Sequence, residues 1–493
     1  MKEYTFDLAV IGGGGAGISA ALRASELGAK VVLLEKAASI GGSSAMCRGI
    51  GAVGSREQNA CPECDFTISD LMTEYLRQTN YLADNALIYK FLSNSGKTVD
   101  WLQENGAIME YVGNAQEKHL GSKLKTYFNW GEAKIRELRE MMKTVEARGG
   151  MTLLRTAAAS LIMANGRVAG VMARTRDGET VKINCRAAAL CSGGYGNNEE
   201  MVLKATGGVK VNMINSGGQT GDGINMAVAA GAATENINSI EFHGVSLPFD
   251  KMGARSMHGS PGFLGRVVSL FDVLWVNHSG HRFVNEEISA DISFTGNVAF
   301  RQGSEFFSIF SAEMADILEK EGTDALGLEP IVEGPVLGNM VCPGLRDELK
   351  SAMEKTIAYY AETPEELARA IGVDEKRFME TFNEYNAACR DKLDPMFGKK
   401  ANHLYPLRGP LYAVELRAAE LCSLGGVRID TDMQVLDNNG RVIPGLYAGG
   451  CDASGGLFNN AYVSLEGMTI GWAFTSGRLI GESAAAFLGY EVK

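Results

Sequence analysis

The sequence predicts an α/β fold in which a Rossmann-like unit is split by a long insertion. Three observations predict it. An apolar run near the start closes in a glycine-rich turn; strand and glycine signals return near Leu411; and between them lie helical stretches without such signals.

Residues 4–11 read as a buried parallel strand, 12–17 as a tight turn, 18–27 as a helix and 30–34 as a second strand, together a βαβ unit. Over 151–183 the pattern changes to short alternating strands with turns at Asn165-Gly166 and Asp177-Gly178, a β-meander. The strand ending Ala187-Ala188-Ala189-Leu190 runs into Ser192-Gly193-Gly194. From about 238 to 402 helical stretches such as 365–370 and 374–390 mark an inserted α+β capping domain. A long helix over 465–488 closes the chain. The expected organisation is a first cofactor segment, 1–238, a cap, 239–402, and a second cofactor segment, 403–493.

A chain of 493 residues, 45% hydrophobic and 22% charged, has the balance of a globular protein with a large core. No apolar run reaches the roughly 20 residues that span a bilayer, so no membrane association is expected. The start lacks the basic residues and long apolar stretch of a signal peptide, and nine scattered cysteines look like reduced thiols, so a cytoplasmic location is expected. A net charge of −12 argues against nucleic-acid binding.

Gly12-Gly13-Gly14-Gly15-Ala16-Gly17 satisfies the dinucleotide fingerprint between a strand and a helix, with Glu35 ending the second strand. The first glycine permits the turn, the second lets a pyrophosphate approach the backbone, and the third lets helix pack on strand. Glu35 is placed to accept ribose hydroxyls. Three further segments extend the site: Gly41-Gly42-Ser43-Ser44; Thr220-Gly221-Asp222-Gly223-Ile224; and Gly445-Leu446-Tyr447-Ala448-Gly449-Gly450. In this order they fit FAD, a ligand longer than a nicotinamide nucleotide.

With Ser192-Gly193-Gly194-Tyr195-Gly196-Asn197-Asn198, Val276-Asn277, Arg282-Phe283-Val284-Asn285-Glu286 and Leu424-Gly425-Gly426, these segments resemble the fumarate reductase and succinate dehydrogenase flavoprotein family over nearly the whole chain. That group includes urocanate reductases and 3-ketosteroid dehydrogenases. The resemblance implies a split Rossmann-like FAD-binding domain with a mobile cap, and substrate held between cap and isoalloxazine. It implies cofactor contacts at Gly12, Gly14, Ala16, Gly17, Glu35, Lys36, Gly42, Ser43, Ser44, Gly49, Gly193, Gly194, Asp222, Gly450, Asp452, Gly467, Thr469 and Ile470. It also places Arg282 where the family ties cap to core. The histidine that carries FAD covalently in succinate dehydrogenases has no counterpart, because the first histidine is His119; non-covalent FAD is expected.

The family's dicarboxylate site is depleted in this chain. Where the proton-donating arginine is expected the sequence reads Ser289-Ala290-Asp291; the substrate histidine falls at Cys422; and the late arginine is missing from the segment Leu457-Phe458-Asn459-Asn460-Ala461-Tyr462-Val463-Ser464-Leu465-Glu466-Gly467. A dicarboxylate needs paired charge-assisted donors to offset its desolvation. The expected reaction is therefore hydride transfer from flavin N5 to an activated C=C bond of a relatively apolar, cyclic or aromatic substrate, and not fumarate reduction. Catalytic candidates are Tyr462, a proton or hydrogen-bond donor just ahead of the closing helix; His243, which matches a family substrate residue; and Arg266, near the expected relay. A side-chain proton donor and a separate electron donor, NAD(P)H or a redox protein, complete this reading. The alternatives are a 3-ketosteroid-type dehydrogenase, a tetrahydrodaidzein-reductase-like enzyme and, from another class, a flavin electron-transfer subunit. Cys61-Pro62-Glu63-Cys64 has no second C-x-x-C to complete a metal site, so an ordinary reduced pair is expected and no metal.

Overall fold

The computed structural model describes residues 1–62, 64, 66–113, 124–253, 262–328 and 339–492. His119 and Glu63 lie outside them.

The central sheet is six-stranded, in the order Gln434–Leu436, Val442–Ala448, Ala187–Leu190, Leu8–Ile11, Val31–Leu34, Met151–Leu153. All neighbours are parallel except the Gln434–Leu436 edge strand, which pairs antiparallel with Val442–Ala448. Leu8–Ile11, Val31–Leu34 and Ala187–Leu190 are buried along their whole length, as strands covered on both faces must be. The helix Gly15–Glu26 follows the first of these strands and packs on the closing helix Met468–Leu488.

The run read as one strand over 4–11 is two. Lys2–Thr5 pairs with Thr180–Asn184 in the meander sheet, whereas Leu8–Ile11 enters the central sheet. The meander itself is Thr156–Ala164, Arg167–Thr175 and Thr180–Asn184, turning at Asn165-Gly166 and Asp177-Gly178, where both glycines have positive φ. A small sheet of Gly49–Gly51, Tyr127–Trp130 and Met109–Gly113 abuts the start of the closing helix.

The third large sheet belongs to the inserted region. Leu411–Ser423, thirteen residues long and on the cofactor side of the boundary drawn at 402, is its hub. It pairs with Glu305–Ser311, Ile240–Ser246, Ala358–Ala361 and Asn212–Met213. One strand thus runs through the cap sheet and delivers Glu420 and Cys422 toward the cofactor domain. The expected helices are Pro364–Ile371 and Glu375–Asp391, capped by Thr363 and Asp374.

Arg282 ties the cap to itself rather than to the core. Its guanidinium bonds Glu286 at 2.7 Å and Asp394 at 2.8 Å, and buried Lys399 reaches Glu286 at 3.2 Å. One side-chain link between cap and cofactor segment is Ser464, whose hydroxyl donates to Asp291 at 2.7 Å. None of the described helices is long and apolar enough to cross a membrane.

Candidate active site

The cofactor cradle begins at the turn after Leu8–Ile11. Gly12 has φ +105°, and a methyl group on it would lie 2.2 Å from the Cys191 carbonyl oxygen; one on Gly17 would lie 1.8 Å from that of Gly12. Both positions therefore exclude any side chain. Gly14, the N-cap of Gly15–Glu26, is the opposite case: a methyl there meets nothing within 4 Å. The N-cap Gly14 brings no side chain of its own and the first turn holds no acid, so the helix's amide end is suited to an anion. Ala16 is buried in that first turn.

Gly42 faces Gly14 across this opening, a methyl on Gly42 lying 3.5 Å from the Gly14 Cα. Ser44 accepts the Gly15 amide at 3.1 Å, and Ser43 accepts the Gln219 side-chain amide at 2.8 Å. Glu35 receives the Gly13 and Ala37 amides, each at 2.7 Å, one on each carboxylate oxygen. Each oxygen keeps a second lone pair for a ribose hydroxyl. Lys36 bonds Thr220 and pairs with Asp222 at 2.7 Å. Beside Asp222 a groove of about 350 Å³ runs between Thr156–Ala164 and the helix Asp222–Ala229, lined by Ala158, Leu161 and Met226 among others.

The far end of the cradle is built from Ser192–Gly194, Gly450–Asp452 and the start of the closing helix. Gly193 and Gly194 have φ of +92° and +77°. Asp452, fully buried, accepts the Ser192 amide, the Ser192 hydroxyl at 3.0 Å and the Gly194 amide at 2.9 Å. Burial raises its pKa, while those bonds pull the other way. The Gly450 amide donates to Ser476 at 2.9 Å. Gly467, at φ +67°, caps the closing helix and packs on Gly49–Gly51: the Gly51 amide donates to its carbonyl at 2.9 Å. Gly49 itself leaves no room for a side chain, because a methyl would lie 2.0 Å from the Phe128 oxygen. Thr469 and Ile470 follow in the first turn. This open, glycine-lined amide end, continuous with a ribose acceptor at one end and a buried turn at the other, fits FAD.

Of the catalytic candidates, Tyr462 bonds the start of the closing helix, and His243 stands on a strand paired with Leu411–Ser423. His243 sits in Ile240–Ser246 where the register with Leu411–Ser423 shifts. Its Nδ1 lies 3.5 Å from Glu241 Oε1, and 17% of its side chain is exposed. The Cys422 thiol donates to Glu241 Oε2 at 3.1 Å. The Tyr462 hydroxyl accepts the Met468 amide at 3.0 Å and donates to the Leu465 carbonyl at 3.2 Å. Burial, with Glu241 adding, drives its pKa well above the ordinary tyrosine value, so it stays protonated. Arg266 takes an exposed position of the helix Leu264–Leu270, where Val267 and Val268 are buried. Ala290 ends a short 3-10 helix, and Asp291 caps Ile292–Arg301.

Sequence reasoning missed Glu241 and Glu420, which are 1% and 0% exposed on the paired strands Ile240–Ser246 and Leu411–Ser423. The signal was present: each is a lone charge in an apolar run, Ile240-Glu241-Phe242 and Ala418-Ala419-Glu420-Leu421-Cys422. Cys61 and Cys64 are free thiols, and the Cys64 sulfur lies 2.8 Å from the Tyr111 hydroxyl.

Residues 7–467 match the family described as the FAD binding domain. The vinyl phenol reductase of Lactiplantibacillus plantarum is 31% identical, the match covering 99% of this chain and 97% of that one. The open conformation of a flavocytochrome c3 fumarate reductase superposes with a TM-score of 0.70 at 23% identity, over 99% of this chain and 79% of that one. The 3-ketosteroid Δ1-dehydrogenase of Sterolibacterium denitrificans superposes with a TM-score of 0.75 at 20% identity, over 98% and 99%.

Proposed function

We propose, for a chain that belongs to the fumarate reductase and succinate dehydrogenase flavoprotein family and is an FAD-dependent oxidoreductase, that its reaction is reduction of an activated C=C bond in an uncharged, conjugated substrate of the vinylphenol kind. The observation that carries this is the buried Glu241 carboxylate, bonded by Cys422 beside His243. Where a dicarboxylate would require cations, the strand pair presents the Glu241 carboxylate. A fumarate carboxylate brought here would meet like charge and no guanidinium from Ala290 or the 457–467 segment. A phenol or enone carries no such penalty. The 31% identity to a vinyl phenol reductase over nearly both chains supports the same class.

The glycine turn, Glu35, Ser43, Ser44 and the Asp452-braced turn would hold FAD without a covalent bond. When bound, FAD supplies the hydride equivalent to one alkene carbon. His243 then delivers the proton to the neighbouring carbon, with Glu241 orienting the imidazole and stabilising its charged form. Tyr462 acts on the protein, fixing the first amide of the closing helix, and Arg266, exposed on its helix, is left out of the chemistry. Electrons come from a separate carrier or from NAD(P)H binding transiently. Nine cysteines, none of them in a disulfide, accord with work in the cytoplasm.

Anaerobic incubation of the reduced enzyme with 4-vinylphenol tests the reading. One 4-ethylphenol should form per flavin. Flavin that stays reduced with this and other small alkenes, yet reoxidises with a redox protein, would mark an electron-transfer subunit instead.

A further inference from the structure

Lys134 opens the helix Lys134–Ala147 and is 2% exposed. Its ammonium donates to the Ser44 carbonyl at 3.3 Å and to the Cys47 carbonyl, and stands 5.5 Å from the centre of the Trp130 ring. Among the described residues no carboxylate forms an ion pair with it. Glu137, one turn on, accepts the Trp130 indole N–H at 2.7 Å and the Ile108 amide at 3.0 Å, both on Oε2. A buried ammonium without an ion-pair partner is costly, and the amide end of a helix, which carries partial positive charge, makes it costlier.

Both carbonyls belong to the turn from Gly42 to Cys47. Within it the Met46 and Cys47 amides donate to the Ser43 carbonyl at 3.0 and 3.2 Å. The same turn carries Ser43 and Ser44, and Ser44 takes the Gly15 amide at the helix start suited to an anion. Its side chains are half-buried or exposed, so packing alone holds it weakly.

We infer that Lys134 is a positioning residue for the cofactor: its ammonium clamps the 42–47 turn onto the helix Lys134–Ala147 and so holds Ser43 and Ser44 where FAD meets them. The inference rests on the assignment of this turn to the FAD site. The titratable groups acting on the ammonium are Cys47 on the turn and Glu137 on its own helix; the strand Tyr127–Trp130 offers the Trp130 ring, and the closing helix the Phe474 ring 5.2 Å from it. Burial pushes the Lys134 amine down to about 8, against the smaller upward pull of Cys47 and Glu137. Charge-assisted bonds are the stronger ones, so FAD binding favours the ammonium and raises this pKa. As pH rises through about 8 the flavin-free chain loses the proton first, and FAD affinity falls until the holoenzyme has lost it too.

The test measures FAD affinity against pH, by quenching of flavin fluorescence, for the wild type, Lys134→Met and Cys47→Ala. Wild-type affinity should be level below about pH 7 and fall about tenfold between about pH 8 and about pH 10. Methionine keeps most of the stem and loses the charge; its affinity should be about tenfold lower at about pH 7 and lack that step. Cys47→Ala keeps the carbonyl and removes the titrating thiol, so the step should remain. In urea denaturation the flavin-free Lys134→Met chain should be no less stable than the wild type, because it has lost a buried charge. A lysine that served stability alone would lose both together. A pH step that persists in Lys134→Met, or a flavin-free variant destabilised by the factor that FAD affinity loses, overturns the inference. Unchanged FAD affinity overturns it as well, and hydrogen exchange at the Met46 and Cys47 amides then locates the fault: faster exchange faults the assignment of the turn to FAD, unchanged exchange the clamp itself.

Discussion

Removing the Tyr462 hydroxyl separates a role in chemistry from a role in holding the closing helix. The hydroxyl accepts the Met468 amide at 3.0 Å and donates to the Leu465 carbonyl at 3.2 Å, on a residue only 7% exposed. Tyr462→Phe strands one backbone donor and one acceptor in a buried setting, which costs about 1–3 kcal/mol. Because about 1.4 kcal/mol is a factor of ten, exchange of the Met468 amide should accelerate by about ten- to a hundredfold if local opening carries the cost. Loss of a well-placed general acid would instead lower the chemical rate by about 10²- to 10⁴-fold. Hydrogen exchange by mass spectrometry and stopped-flow reoxidation of the reduced flavin by 4-vinylphenol measure the two effects on one preparation. The expected result is faster exchange at the start of Met468–Leu488 with a rate loss below about tenfold. A rate loss of about a hundredfold or more with unchanged exchange would refute the reasoning and return Tyr462 to the proton-donating role its sequence position suggests.

Three other outcomes follow from the geometry. Arg282→Met leaves Glu286 and Asp394 buried without their shared cation and should cost about 3–5 kcal/mol in urea denaturation; a change within experimental error would show that Lys399 suffices. Gly17→Ala, whose new methyl would overlap the Gly12 carbonyl oxygen, should yield colourless protein, whereas wild-type flavin should leave entirely in the supernatant of an acid precipitation; yellow variant protein or a yellow wild-type pellet would count against the cradle as described. Because the Glu420 pKa is raised in the folded chain, its contribution to stability is full below the ordinary carboxyl range and is lost as pH rises toward the folded value. Glu420→Gln should therefore gain on the wild type in denaturant titrations as pH goes from about 5 to about 8, and parallel curves would contradict the shift.

The cofactor half was legible because its requirements are local. Gly12 and Gly17 are demanded by contacts between neighbouring segments, and the strand, turn and helix around them announce themselves by periodicity. The inserted region was legible only as a change of pattern. Leu411–Ser423 is a long apolar strand whose partners lie as far away as Asn212 and Ile240, and nothing within its own thirteen residues says which sheet it joins. The same non-locality hid the substrate side. Cys422 was read as a missing histidine, but its partner Glu241 stands 181 positions earlier, joined only when the two strands pair. Tyr462 was singled out by its place ahead of a helix start, while the use of its hydroxyl depended on the path between Leu465 and Met468.

The most direct measurement of the central claim is the ratio of second-order rate constants for anaerobic reoxidation of the reduced flavin by 4-vinylphenol and by fumarate. A carboxylate deprived of charge-assisted partners loses about 1.5–3 kcal/mol per missing bond, so two carboxylates facing Glu241 in place of arginines should favour the vinylphenol by at least about a hundredfold. A ratio near one, or one favouring fumarate, would contradict the account.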